Sequence, residues 1–228
     1  IMEYSMQCKL YLLSIFEQNF SPNLAGLAES IVVGHKDNLE KEDSDSFAKS
    51  GTMHILAVSG LHVGMIYLIL LQLFTLGNKG KKLKKWQSIG LLLILWVYAF
   101  VTGLGASVIR ASLMFSLIEI GRSFFGRQGG GFNGVFAAAF IQLLFFPLNL
   151  IEVGFQLSYL AVLGILYFYP KIYSMVAMPN VLLSKAWQLA CVSLSATLGT
   201  LPVTMYFFHT FPVWFMFSNI LLVPFGMI

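Results

Sequence analysis

Charged side chains are scarce in this sequence: Asp, Glu, Lys and Arg make up 11% of its 228 residues, against about 25% in ordinary soluble domains. That shortage excludes a conventional water-solvated surface and leaves a membrane as the simplest solvent. Cysteine is nearly absent too. Cys8 and Cys191 stand far apart with no CxxC spacing, which argues against both a disulfide framework and a thiolate metal site. There is no initiator Met, and the chain stops at Ile228 inside an apolar run. We therefore expect a piece of a longer protein, to whose first residues signal-peptide reasoning does not apply.

What is present is apolar. Hydrophobic residues form 57% of the chain, in long runs of Leu, Ile, Val, Phe and Gly broken by short basic or Gly/Pro-containing connections. This is how an all-α, polytopic transmembrane helix bundle reads. Two regions are expected. Residues 1–50 hold most of the acidic side chains and alternate polar with apolar positions, as two or three amphipathic helices outside the hydrocarbon would. Pro22 directly after Ser21 marks a helix start within them. Residues 51–228 form the transmembrane region.

Its legs follow from length and charge. Met53 to Leu76 is long enough to span, and the next segment carries Lys79, Lys81, Lys82, Lys84 and Lys85. Positive connections mark the cytoplasmic side, so residues 1–50 are expected outside and Trp86 at the inner interface. From Trp86 to Gly121 a single helix would rise roughly 54 Å, too long for a hydrocarbon core of about 30 Å. The chain must turn, and "TGLGAS" from Thr102 supplies the glycines Gly103 and Gly105. The return leg ends near Arg122 and Arg127. Further legs run from Gly131 to Phe146, break at Pro147, return through Val153 to Tyr169, go out from Trp187 to Phe208, and turn near His209 and Pro212. That makes about seven legs, of which Ile89 to Thr102 and Gly131 to Phe146 are short enough to be re-entrant.

Polar residues inside these legs are the candidate functional positions, because a mid-bilayer charge costs at least about 2.5–3.5 kcal/mol. His54, Ser59 and His62 lie on one side of a helix, with the helix-break glycine Gly60 beside them. Two imidazoles alone do not make a metal site, and no metal or other cofactor is expected. Arg110 follows the turn and cannot shed its charge. It faces either a hydrated channel or a partner such as Glu152. Glu152 and Gln156 share a face with Tyr159, and Glu152 also suits a helix N-terminus. Glu119 beside Arg122 reads as a surface pair at (i, i+3) spacing.

With these residues in view, "GTMHILAVSGLHVGMI" from Gly51 resembles the signature of the ComEC competence family. "TGLGASVIRASLMF" from Thr102 and "FPLNLIEVGFQLSYLAVLGI" from Phe146 resemble two further family blocks in the same order, with Glu152 where the family often has Asp. "ATLGTLPVTMYFFHTFPVWFMFSNILLVPF" resembles its late helix pair. The resemblance implies an inner-membrane channel that passes single-stranded DNA into the cytoplasm during natural transformation, with membrane lipid and other competence-machinery proteins as partners. Members often add an OB-like domain and a metallo-β-lactamase-like domain, but no HxHxDH-type motif occurs here. No catalysis is therefore expected of this chain. The alternative is a secondary transporter of a small anionic solute, with broken helices near Gly60, Gly103 and Pro147 around its site. An intramembrane hydrolase using Ser59 and His62 would lack an orienting acid and an oxyanion hole.

Overall fold

A computed structural model describes residues 2–34, 60–76, 85–125, 130–176 and 180–209. All regular structure among them is helical: α1 Met2–Asn19, α2 Pro22–Val32, α3 Gly60–Leu76, α4 Lys85–Val101, α5 Ala106–Phe124, α6 Gly131–Phe145, a 3-10 turn Pro147–Leu150, α7 Val153–Tyr173 and α8 Val181–Phe208. The chain divides into two compact units, Ile1–Gly130 and Gly131–Ile228.

In the first unit α1 and α2 pack together, and α3, α4 and α5 pack pairwise. Ser21 takes the N-cap position of α2 with Pro22 just inside, but the Ser21 hydroxyl makes no capping bond. Proline's fixed φ and missing N–H suit that first turn without one. The core of the three-helix group is Val63 and Tyr67 of α3, Leu91, Leu95 and Ala99 of α4, and Val108 and Ala111 of α5. Glycine brings the backbones close. A methyl at Gly60 would stand 3.3 Å from the Ala111 Cβ, and one at Gly64 would stand 3.2 Å from the Phe115 ring. Such approach matters where lipid tails are as apolar as the helix surface and packing itself must hold helices together.

The turn between α4 and α5 is a Schellman arrangement. Gly103, at φ +89°, donates its N–H to the Phe100 carbonyl at 3.1 Å, and Leu104 donates to the Ala99 carbonyl at 2.9 Å. These bonds satisfy carbonyls that a helix end otherwise leaves open, and the left-handed position favours glycine. Gly105 is the N-cap of α5. α1 lies against this end of the hairpin: the Ser5 hydroxyl donates to the Phe100 carbonyl at 2.7 Å, and Lys9 lies over Gly103.

In the second unit α7 packs on α8 and on α6. Gly164 and Gly199 meet backbone to backbone. A methyl built on Gly164 would fall 2.6 Å from the Ser195 carbonyl oxygen and 2.8 Å from Gly199 Cα. Along α8, Ser195, Thr197 and Thr200 each return the hydroxyl to the carbonyl four residues back, at 2.6, 2.9 and 3.0 Å. His209 ends the helix in the left-handed region, at φ +52°.

Each of α3 to α8 overlaps one of six expected legs; the seventh expected leg falls in residues 210–228, outside the described residues. Among the described residues, two helices are by length and composition apolar enough to cross a membrane, within Val153–Tyr173 and Leu183–Phe208, and three shorter apolar stretches lie in α3, α4 and α6. α5 is 19 residues long but carries Arg110, Glu119 and Arg122. The expected short legs are short here also. The 17 residues of α4 and 15 of α6 rise about 25 and 23 Å.

Candidate functional site

Two of the expected site residues, His54 and Ser59, lie outside the described residues. Gly60 opens the described part of α3, and His62 follows, half-buried. Gly103 and Gly105 sit in the turn before α5. Arg110 lies one helical turn beyond, with only 6% of its surface exposed. Glu152 and Gln156 belong to the other unit. Glu152 is the exposed N-cap residue of α7, making no side-chain capping bond, and Gln156 Nε2 donates to the Leu150 carbonyl at 2.9 Å. Gln156 thus ties the first turn of α7 to the preceding 3-10 turn. Tyr159, one turn further along, donates to Gln142 Oε1 of α6 at 3.1 Å.

The most developed polar site involves a residue that sequence spacing assigned to the surface. Glu119 has no exposed area. Its Oε2 accepts from the Tyr67 hydroxyl of α3 at 2.9 Å, and its Oε1 accepts from Ser88 of α4 at 2.8 Å and from Ser123 at 2.5 Å. Ser88 and Ser123 lie 2.7 Å apart. Arg122 Nε stands 3.5 Å from Oε2 with its side chain 36% exposed. The (i, i+3) relation to Arg122 is therefore real, but Glu119 points inward where three helices meet. A buried carboxyl needs such partners, since burial without hydrogen bonds is costly.

A sequence signal for this site exists along α5. Ser112, Ser116, Glu119 and Ser123 recur at intervals of four, three and four, which places them on one helical face. Ser112, Ser116 and Glu119 are all buried, and Ser116 accepts from Trp96 Nε1 of α4 at 3.1 Å. The Ser112 hydroxyl has no hydrogen-bond partner among the described residues. Also among the described residues, no three His, Cys, Asp or Glu side chains gather to hold a metal.

At its far end α7 presents Lys171, whose ammonium lies 3.5 Å from the centre of the Tyr167 ring. There the Tyr173 hydroxyl meets Ser184 Oγ of α8 at 3.2 Å and accepts from Gln188 Nε2 at 3.3 Å. A cation in the last turn also suits the negative end of the helix dipole.

The family model described as "Competence protein" matches residues 31–228. This chain belongs to the competence protein family, of the ComEC type. Among curated relatives, ComE operon protein 3 of Bacillus subtilis (strain 168) is 33% identical over 224 residues, covering 96% of this chain and 27% of that protein. An uncharacterized protein of Aquifex aeolicus (strain VF5) is 34% identical over 131 residues, covering 58% of this chain and 30% of its own length. The competence region described here thus spans under a third of either relative. No solved structure matches it.

Proposed function

We propose that this chain forms a membrane-embedded part of the DNA-uptake machinery of transformation and passes single-stranded DNA through the bacterial inner membrane to the cytoplasm. The observation that carries this reading is the competence-family match over residues 31–228, joined by 33% identity across nearly the whole chain to a ComE operon protein. Charge placement supports the sidedness. Outside Arg110, the lysines and arginines after residue 50 fall in, or in the helix ends beside, connections assigned to the cytoplasm. The packing of α1 against the α4–α5 turn agrees, since it brings part of the first fifty residues to the end of the hairpin opposite Lys85.

In this reading α3 to α8 and residues 210–228 form the seven membrane legs, with α4 and α6 re-entrant or locally thinning the bilayer. Arg110 supplies a fixed cation for passing phosphates. His54, Ser59, His62, Glu152 and Gln156 are polar lining positions. The chain itself cuts no nucleic acid and uses no cofactor, and its partners are the DNA strand, lipid and other competence proteins.

The test is internalisation of labelled duplex DNA by cells whose gene carries a deletion of residues 51–228 or Arg110→Leu. DNA should stay bound outside, without nuclease-resistant single strands accumulating within. Normal internalisation in both strains would refute the proposal. Flux of a small anion through liposomes holding the purified protein, together with normal DNA internalisation by the deletion strain, would support the transporter reading instead.

A further inference from the structure

The second unit carries positive charge at one end without a carboxylate to meet it. Between residues 131 and 228 the sequence holds one acidic residue, Glu152, and two lysines, Lys171 and Lys185. Glu152 is the N-cap of α7 and Lys171 sits in its last turn, so the two stand roughly 28 Å apart along the helix axis. Glu152 is too far away to neutralise that lysine. Lys185 adds its charge at the same end, because the Tyr173 hydroxyl ties the last turn of α7 to Ser184 and Gln188 in the first turns of α8.

The placement of the Lys171 ammonium suits one kind of anion. A lysine in the last turn of a helix can reach forward to the open carbonyls. Lys171 turns back instead, to 3.5 Å from the centre of the Tyr167 ring, and the Ser174 hydroxyl takes the Lys171 carbonyl at 2.9 Å. Tyr167 is 52% exposed and is braced edge-on by Phe168, with ring centres 5.0 Å apart. The ring covers one side of the ammonium, and its three N–H groups leave donors for an acceptor from outside. Tyr173 faces α8, and Lys171, two residues earlier, lies about 200° around the helix from it. The charge is therefore presented on the side of α7 turned away from α8, one turn back from the helix end toward the membrane, at the level of the headgroup phosphates.

We propose that Lys171, held on the Tyr167 ring, binds the phosphate headgroup of an acidic phospholipid in the cytoplasmic leaflet, with Lys185 adding to the attraction. Basic residues at the cytoplasmic ends of membrane helices recognise such headgroups electrostatically, and an exposed tyrosine belongs at the same interface. A DNA strand in transit would follow a path inside the protein, whereas this face is open to its surroundings. Lipid is the occupant that the position favours. This rests on the membrane reading of α7 and α8 with Lys171 inside, and not on DNA passage.

The test titrates the intact purified protein in micelles with phosphatidylglycerol and, separately, with phosphatidylcholine of the same acyl chains, and counts retained lipid by native mass spectrometry. Wild type should retain phosphatidylglycerol in clear excess. Lys171→Gln should weaken that retention about 5-fold, the worth of one lysine near an anionic surface, and Tyr167→Leu about 2-fold, by releasing the ammonium from the ring. Lys9→Gln, which removes a lysine from α1, should leave it unchanged. Equal losses in Lys171→Gln and Lys9→Gln overturn the proposal, since charge anywhere would then suffice. Loss of the excess on adding inorganic phosphate at the lipid's concentration also overturns it, because a free anion would then fill the site. Wild-type protein that floats with liposomes yet prefers neither lipid overturns the proposal and leaves the membrane reading standing.

Discussion

Alanine at Gly164 tests whether α7 and α8 are held by direct backbone contact. The added methyl would meet the Ser195 carbonyl oxygen at 2.6 Å, Gly199 Cα at 2.8 Å and Gly199 N at 3.2 Å. All three atoms are main chain, so no rotamer change relieves them and the helices must separate by several tenths of an ångström or more. Overpacking of this kind costs about 1–3 kcal/mol, set against a gain of about 1 kcal/mol from replacing a helical glycine by alanine. We expect a net loss of up to about 2 kcal/mol. Gly121 is the control, because a methyl there meets nothing within 4 Å, and Gly121→Ala should gain about 0.5–1 kcal/mol. Combining Gly164→Ala with Gly199→Ala should cost less than the sum of the two, since the separation forced by one methyl accommodates the other. Equilibrium unfolding of the purified protein in mixed micelles, followed by tryptophan fluorescence, reads all four variants. The reasoning is refuted if Gly164→Ala is as stable as Gly121→Ala.

Three further outcomes are expected. Arg110→Leu should assemble at normal levels yet lose transformation, and Arg110→Lys should keep part of it, because a point charge survives without the bidentate fork; full transformation in Arg110→Leu would remove this residue from DNA passage. A cysteine at Lys82 should resist an impermeant thiol reagent added to intact cells, whereas one at the exposed Tyr4 should react; the reverse pattern would invert the topology. Gly103→Ala should lose about 1–2 kcal/mol, the cost of a left-handed backbone with a Cβ. Adding Lys9→Ala should recover little of it, since the Lys9 side chain can move aside but φ cannot, and full recovery in an unfolding assay would show that the contact rather than the strain matters.

Where one residue type has only one reasonable use, the sequence was readable. Gly103 in a Gly-rich break between apolar runs meant a turn, Pro147 meant an interruption, and Pro22 after Ser21 meant a helix start. Each rests on backbone constraints that act locally. The seven-leg parse rests on length and charge asymmetry, which also act along the chain. Glu119 was misplaced because its partners are not local: Tyr67 lies 52 residues away and Ser88 lies 31 away. The nearby Arg122 offered a complete explanation at short range. The Ser112, Ser116, Glu119, Ser123 face was the usable warning. The Gly164–Gly199 contact was hidden for the same reason, since a helical glycine does not reveal which backbone it admits.

The hydroxyls of α8 bear on where water can lie. Ser195, Thr197 and Thr200 give the helix a polar composition, yet each spends its proton on a carbonyl of its own helix. A helix arranged in this way satisfies its own polar groups and can lie against hydrocarbon or a neighbour without recruiting solvent. Counting polar residues therefore overstates how wet α8 is. A hydrated strand moving past those three positions would find donors already engaged, and its contacts must come from side chains whose protons are not committed to the backbone.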